Sequence, residues 1–296
     1  MKIAVTGSSG LIGSALIPVL EAGGHSVVRV VRNAGGPSDC RWDPATGTID
    51  AAALDGVDGV VHLAGAGIGD HRWSDDYKRE VLESRTKGTT LIARTIAELE
   101  HPPTVLVSGS AIGYYGDRGD ELLDESSAPG KGFLTEVCEQ WEAASKPASD
   151  AGIRVATIRT GIVLSKRGGA LKKMLPLFRF GLGGRFGSGR QWQSWISIDD
   201  EVGAIRHLLT NDVEGPVNLT APNPVTNKEF SQTLARVLHR PSFLPVPSFG
   251  PKLLVGPEAA DALLFDGQRV LPAVLEKSGY EFTHPRLEAA LQSLLA

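Results

Sequence analysis

Three observations predict an α/β fold, a parallel sheet with helices on both faces. Short apolar strands alternate with helix-length segments through the first half of the chain. A glycine-rich turn joins the first strand to the first helix. The texture changes after about Leu164, where glycine-rich and proline-punctuated stretches take over.

The elements follow in order. Residues 3–6 (IAVT) read as an apolar strand and residues 11–22 as an apolar helix. Residues 26–31 are β-branched and strand-like, and residues 59–63 (GVVHL) are a buried strand. Tyr77, Val81, Arg85, Gly88, Leu91, Ile92, Ile96 and Leu99 recur at helical spacing. Residues 104–108 (TVLVS) are a strand, 133–150 a helix and 153–158 (IRVATI) a strand again. Residues 181–189 (GLGGRFGSG) form a glycine-rich loop, and residues 196–209 resume helix-compatible spacing. Thr226 and Glu229 stand at capping-box spacing and open a helix that runs to about Leu238. From Pro241 onward, proline-punctuated loops separate short helices. The expected organisation is a doubly wound Rossmann core at 1–165, rejoined by 196–219. A smaller, mostly helical substrate lobe is expected from 166–195 and 220–296.

Composition narrows the function. The chain of 296 residues carries a net charge of −4. No basic excess exists to neutralise nucleic-acid phosphates or to hold an anionic membrane. No run approaches the roughly 18 apolar residues of a membrane span. The stretch before Gly7 is too short for the apolar core of a signal peptide. A cytoplasmic protein with a small-molecule partner is expected, as a monomer or homodimer. Two cysteines, Cys40 and Cys138, give neither a disulfide framework nor a metal site. Cys138 has no histidine near it in sequence and reads as a buried structural thiol. His62, inside an apolar strand, reads as a core histidine.

The first turn carries the clearest chemistry. Gly7, Ser9, Gly10, Leu11, Ile12 and Gly13 lie in the segment GSSGLIG, a G-x-x-G-x-x-G pattern between strand and helix. Such a turn lets backbone approach a pyrophosphate, and the helix N-terminus presents free N–H groups to it. The second strand ends in Arg32, where an NAD site places Asp or Glu on the ribose hydroxyl. A guanidinium suits a 2′-phosphate instead, so the expected cofactor is NADP(H).

The segments TGSSGLIGSAL, VHLAGAGI, KREVLESR, SGSAIGYYG, RTGIVLSKRGGAL, GLGGRFGSGRQWQSWISIDD, NLTAPNPVTNKEF and LLFDGQRVLPAVLEKSGYEF stand in this order along the chain. Together they resemble the extended short-chain dehydrogenases/reductases, and among these the atypical epimerase-family branch, nucleoside-diphosphate-sugar epimerase-like, with a C-terminal domain of unknown function. The resemblance implies a Rossmann fold and NADP(H). By position it adds Leu63, Ala64, Glu80, Arg85 and Val163 as cofactor contacts. It adds Arg190, Gln191 and Trp192 as substrate-side residues, and Ser110 as the catalytic serine.

One part of the resemblance is missing. Typical members pair their serine with Tyr-x-x-x-Lys, in which lysine lowers the tyrosine pKa. Residues 132–141 (GFLTEVCEQW) hold neither tyrosine nor lysine. Tyr114 or Tyr115 replaces the acid on one reading, with Tyr114 the residue that shares a cleft with Ser110. On the other reading one tyrosine is core and the other lines the pocket. Ser110 is equally compatible with a plain turn serine. Two functions follow: an NADP(H)-dependent oxidoreductase or epimerase, or an NADP(H)-binding sensor whose catalytic site has decayed.

Overall fold

The computed structural model describes residues 1–296 except 34, 37, 243, 244 and 248. The strand β1 (Lys2–Thr6) turns into helix α1 (Leu11–Ala22) and returns as β2 (Ser26–Val31). Then follow β3 (Cys40–Asp43), β4 (Thr48–Ile49), α2 (Ala51–Leu54), β5 (Gly59–His62), α3 (Asp75–Ala97) and β6 (Val105–Ala111). A 3₁₀ turn at Ile112–Tyr115 leads to β7 (Leu122–Leu123), α4 (Phe133–Ala143), α5 (Lys146–Asp150), β8 (Arg154–Thr160) and β9 (Ile162–Leu164). Next come α6 (Gly169–Arg179), β10 (Trp192–Gln193), β11 (Trp195–Ser197), α7 (Ile198–Thr210) and β12 (Gly215–Leu219).

Eight strands form one sheet in the order β12-β8-β6-β5-β1-β2-β3-β4. All neighbours pair in parallel except β4, which runs antiparallel to β3. This is the doubly wound sheet that alternating apolar strands and helices specify. β5 is buried at every position because helices cover both faces. Alternate residues of the strands feed two cores. Ile3, Val5, Val61 and Val107 face the side of α1 and α7, while Ala4, Val60 and Leu106 face the side of α3.

The helices begin for identifiable reasons. The Ser74 hydroxyl caps α3 by accepting from Tyr77 N at 3.2 Å, and Asp75 and Asp76 complement the dipole in its first turn. Thr226 and Glu229 form the expected reciprocal box at the start of α8 (Asn227–Val237). Two expectations change. The helix expected at 133–150 breaks into α4 and α5, with Pro147, which has no N–H to donate, in the first turn of α5. The helix expected at 196–209 starts at Ile198, since Trp195–Ser197 is a strand paired to β9.

The rest of the chain is mostly helical. It contains β13 (Val225–Thr226), α8, α9 (Phe249–Val255), α10 (Pro257–Ala260), β14 (Arg269–Val270), α11 (Ala273–Lys277) and α12 (Leu287–Leu295). Short ladders stitch it to the core, with β13 on β10 and β14 on β7. A buried carboxylate makes a further tie. Asp200, in the first turn of α7, accepts from Ser197 Oγ, Thr283 N, His284 N and Tyr280 Oη at 2.7–3.3 Å.

Candidate active site at the carboxyl edge of the sheet

The strand order reverses at β1, which lies between β2 and β5. That switch point opens a crevice beyond the carboxyl ends of β1 and β5. Thr6 closes its floor. Its Oγ1 accepts from Leu63 N at 3.0 Å and Ala64 N at 3.2 Å, and bonds His62 Nδ1 at 2.8 Å. Gly7 has φ +63°, and a Cβ there would lie 2.9 Å from the Leu63 carbonyl carbon and oxygen. A Cβ on Gly13 would collide with the Gly7 carbonyl. Both glycines are therefore demanded by close approach of backbone to backbone.

Gly10 differs from them. It is the N-cap of α1, it provides no side-chain cap, and a Cβ there would meet only Gly7 O, at 3.1 Å. The first backbone bond of the helix runs from Ser14 N to Gly10 O. The N–H groups of Leu11, Ile12 and Gly13 thus point outward without intrahelical acceptors. Ser9 is exposed on the same turn. These residues fit a pyrophosphate, which would take up the free N–H groups and the positive end of the helix dipole.

The other cofactor candidates are placed as follows. Arg32 is exposed just past β2. Arg85 is half-buried, donates Nη1 to Val81 O at 3.0 Å, and sets its guanidinium 5.0 Å from the Trp141 ring centroid. Its stem lies 3.3 Å from where a Cβ on Gly65 would be, so it lines the segment leaving β5. Glu80 is exposed. Five residues turn a helix by about 500°, which sends Glu80 and Arg85 to different faces. Val163 lies in β9, and the turn after it packs Gly168 and Gly169 against the Leu11 side chain.

The Ser110 corner is of another kind. Ser110 Oγ donates to Glu142 Oε1 at 2.7 Å. Arg159 grips the same carboxylate with Nε at 2.8 Å and Nη2 at 2.9 Å. Its Nη1 donates to Tyr115 Oη at 3.1 Å, and that hydroxyl donates to Asn218 Oδ1 at 2.7 Å. Asn218 N in turn donates to Glu125 Oε1 at 2.9 Å. Arg159 is 3 % exposed and Tyr115 0 %. Burial pushes the Tyr115 phenol up to about 12, which keeps it a donor. Tyr114 is half-buried, its ring 3.4 Å from the Arg159 guanidinium carbon. Its hydroxyl has no hydrogen-bond partner among the described residues. So Tyr115 belongs to the core, and Tyr114 packs half-buried against it. Cys138 is buried on α4 and burial raises its thiol to about 11, which suits a structural thiol rather than a nucleophile. Burial likewise lowers His62 to about 4.

A cavity of ≈ 270 Å³ opens beside the turn after β6, where Gly113 and Gly116 form one wall. Trp73, Phe133, Lys131, Asp117, Asp266 and Gln268 supply aromatic and ionisable groups. Burial, with Asp117 and Asp261 nearby, raises the Asp266 carboxyl. The substrate-side candidates sit apart from that lining. Gln191 Nε2 donates to Leu264 O at 2.8 Å and Phe186 O at 3.3 Å, which pins the glycine-rich loop. Trp192 Nε1 donates to Asp120 Oδ1 at 2.7 Å, and Arg190 is exposed. Sequence reasoning missed Glu142, Arg159 and Lys131. The available signal was Arg159 itself, a charge inside an apolar strand that requires a buried partner.

Residues 3–220 match the NAD dependent epimerase/dehydratase family. The chain belongs to that family. Residues 246–294 match a domain of unknown function, DUF1731. The "Epimerase family protein Mb2239" of Mycobacterium bovis is 44 % identical over 98 % of this chain and 96 % of its own length. The structure of the human epimerase family protein SDR39U1 (isoform 2) with NADPH superposes with a TM-score of 0.92. It is 37 % identical and 99 % of each chain is covered. The nucleoside-diphosphate sugar epimerase structure from Corynebacterium glutamicum has a TM-score of 0.80 and 40 % identity, covering 99 % of this chain and 58 % of that one. In this epimerase family chain, α4 carries neither tyrosine nor lysine.

Proposed function

We propose that this chain is an NADP(H)-dependent oxidoreductase or epimerase acting on a small molecule. The observation that carries the reading is an uncapped helix N-terminus after β1, suited to a pyrophosphate, on the same carboxyl edge of the sheet as the turn after β6, where a cavity is lined by ionisable and aromatic groups. The human relative, solved with NADPH, supports the choice of cofactor. Gly7, Ser9, Gly10, Leu11, Ile12 and Gly13 hold the pyrophosphate, and Arg32 takes the 2′-phosphate. Leu63, Ala64, Arg85 and Val163 line the remaining path, with Glu80 at its rim. The protein works in the cytoplasm as a monomer or homodimer, without nucleic-acid or membrane partners.

When bound, the nicotinamide supplies or accepts a hydride. Tyr114 is the proton donor to the substrate oxygen, since its hydroxyl is uncommitted. The Ser110 proton is committed to Glu142, so the serine oxygen orients the substrate as an acceptor. With Tyr114 as proton donor, reduction by NADPH is favoured over oxidation by NADP⁺. Arg190, Gln191 and Trp192 shape the substrate side through the glycine-rich loop.

The test follows NADPH absorbance over a panel of carbonyl and enone substrates, in wild type, Ser110→Ala and Tyr114→Phe. Tyr114→Phe is expected to lose about 10²-fold in kcat or more. Full kcat in both variants would make the cluster structural. A second reading, a sensor with a decayed site, is favoured by the missing Tyr-x-x-x-Lys and by the engagement of Ser110 with Glu142. Tight NADPH binding without turnover of any substrate would select it.

A further inference from the structure

The corner beyond β2 holds three arginines, and they are not equivalent. Arg29 is already spent. Its Nε and Nη2 reach both oxygens of Asp39 at 2.9 Å, and Asp39 also accepts from Gly35 N and Gly36 N. Arg29 and the two glycine amides hold the Asp39 carboxyl below its usual value, the glycine bond first among them. Asp39 thereby ties Gly35 and Gly36 to Arg29 of β2. Arg32 and Arg41 remain. Both are exposed, and neither has an ion-pair or side-chain hydrogen-bond partner among the described residues.

Register sets Arg41 level with the carboxyl end of β2. β2 and β3 run parallel with Val31 opposite Arg41. Arg41 therefore sits one strand over, about 4.8 Å from Val31, the residue before Arg32. Both belong to the carboxyl edge of the sheet, where a ribose at the switch point would lie. Two uncommitted guanidinium groups at one ribose corner suit a dianion with three acceptor oxygens better than a neutral hydroxyl pair.

We infer that Arg41 is a second reader of the cofactor's 2′-phosphate, acting beside Arg32, with Asp39 as the positioning residue that removes Arg29 and shapes the loop. This rests on the NADP(H) reading of the cradle. It adds a specificity determinant on β3 that the ribose position at the end of β2 does not include.

The experiment titrates 2′,5′-ADP and 5′-AMP into wild type, Arg41→Ala, Arg41→Lys and Arg32→Ala by calorimetry. Arg41 is exposed, so the variants fold. Arg41→Ala is expected to lose about tenfold in affinity for 2′,5′-ADP, as for one charge-assisted contact, and none for 5′-AMP. Arg41→Lys should recover part of the loss. Unchanged 2′,5′-ADP affinity in Arg41→Ala, or an equal loss for both probes, overturns the assignment. If only Arg41→Ala responds, Arg41 stands and the role given to Arg32 falls. A wild type with no preference for 2′,5′-ADP overturns both roles.

Discussion

Two corners of the same sheet edge treat their polar groups in opposite ways. Around Gly10 the helix amides are left unpaired, and Arg32 is exposed with no side-chain partner among the described residues. Around Ser110 the side chains of Ser110, Glu142, Arg159, Tyr115 and Asn218 are bound one to the next. The first corner keeps its donors for a ligand. The second uses them to hold β6, α4, β8 and β12 in register. A serine at a strand end therefore says little until its proton has been traced.

The largest expected effect breaks the second corner. Glu142→Ala leaves Arg159, 3 % exposed, without its carboxylate. Loss of one partner of a buried pair costs about 3–5 kcal/mol. Urea unfolding should show that loss, while NADPH affinity of the folded fraction is kept. A stability change below about 1 kcal/mol would mean that the pair is solvated and the corner is not a scaffold.

Gly10→Val breaks the first corner instead. The new side chain must press past Gly7 O at 3.1 Å and fill the space offered to the pyrophosphate. Stability should fall by about 1 kcal/mol, and NADPH affinity by about a hundredfold, or 2.7 kcal/mol. Retained affinity in a folded variant would remove the phosphates from this turn. Arg32→Ala, by the same logic, should weaken NADPH by about 1.5–3 kcal/mol and leave NADH unchanged. Competitive titration of the two cofactors decides it.

The smallest effect sharpens the comparison with a carboxylate that has no cation beside it among the described residues. Arg159 has Glu142, but the next residue, Thr160, donates to Glu201, whose other oxygen is buried without a partner. Burial raises Glu201 from 4.5 to about 8. The folded state then holds a proton that the unfolded state releases above 4.5, so stability falls as pH rises towards 8. His62, lowered from 6.5 to about 4 by burial, has the opposite slope below pH 6.5. Between pH 4.5 and 6.5 the two oppose each other. From 6.5 to 8 Glu201 acts alone, at no more than about 1.4 kcal/mol per pH unit. Glu201→Gln should flatten that upper limb of a Tm–pH profile. An unchanged limb would show Glu201 ionised in the native state.

The sequence disclosed what is local. Helix α1 was legible residue for residue, because the glycine turn opens it and its apolar stripe is unbroken. The Thr226–Glu229 box was legible because its chemistry spans three residues. β3 and β4 escaped, since CRWD and TI are too short to show a period. At the site, the glycine spacing announced the cradle. The Ser110 network did not announce itself, because Glu142 meets Arg159 across 17 residues and Tyr115 meets Asn218 across 103. Periodicity carries no information on such pairings. Pro147 was visible, and giving it more weight would have separated α4 from α5.

The Asp200 tie has a consequence for how the chain comes to be folded. Its carboxylate collects backbone donors from Thr283 and His284, 83 and 84 positions further on. During synthesis, α7 can be made and can pack on α1 while that carboxylate still lacks those donors. Contacts of such separation are slow to close and come late. A nascent chain therefore carries a partly assembled core until nearly its whole length has emerged, and α7 is the place where a chaperone would find it unfinished.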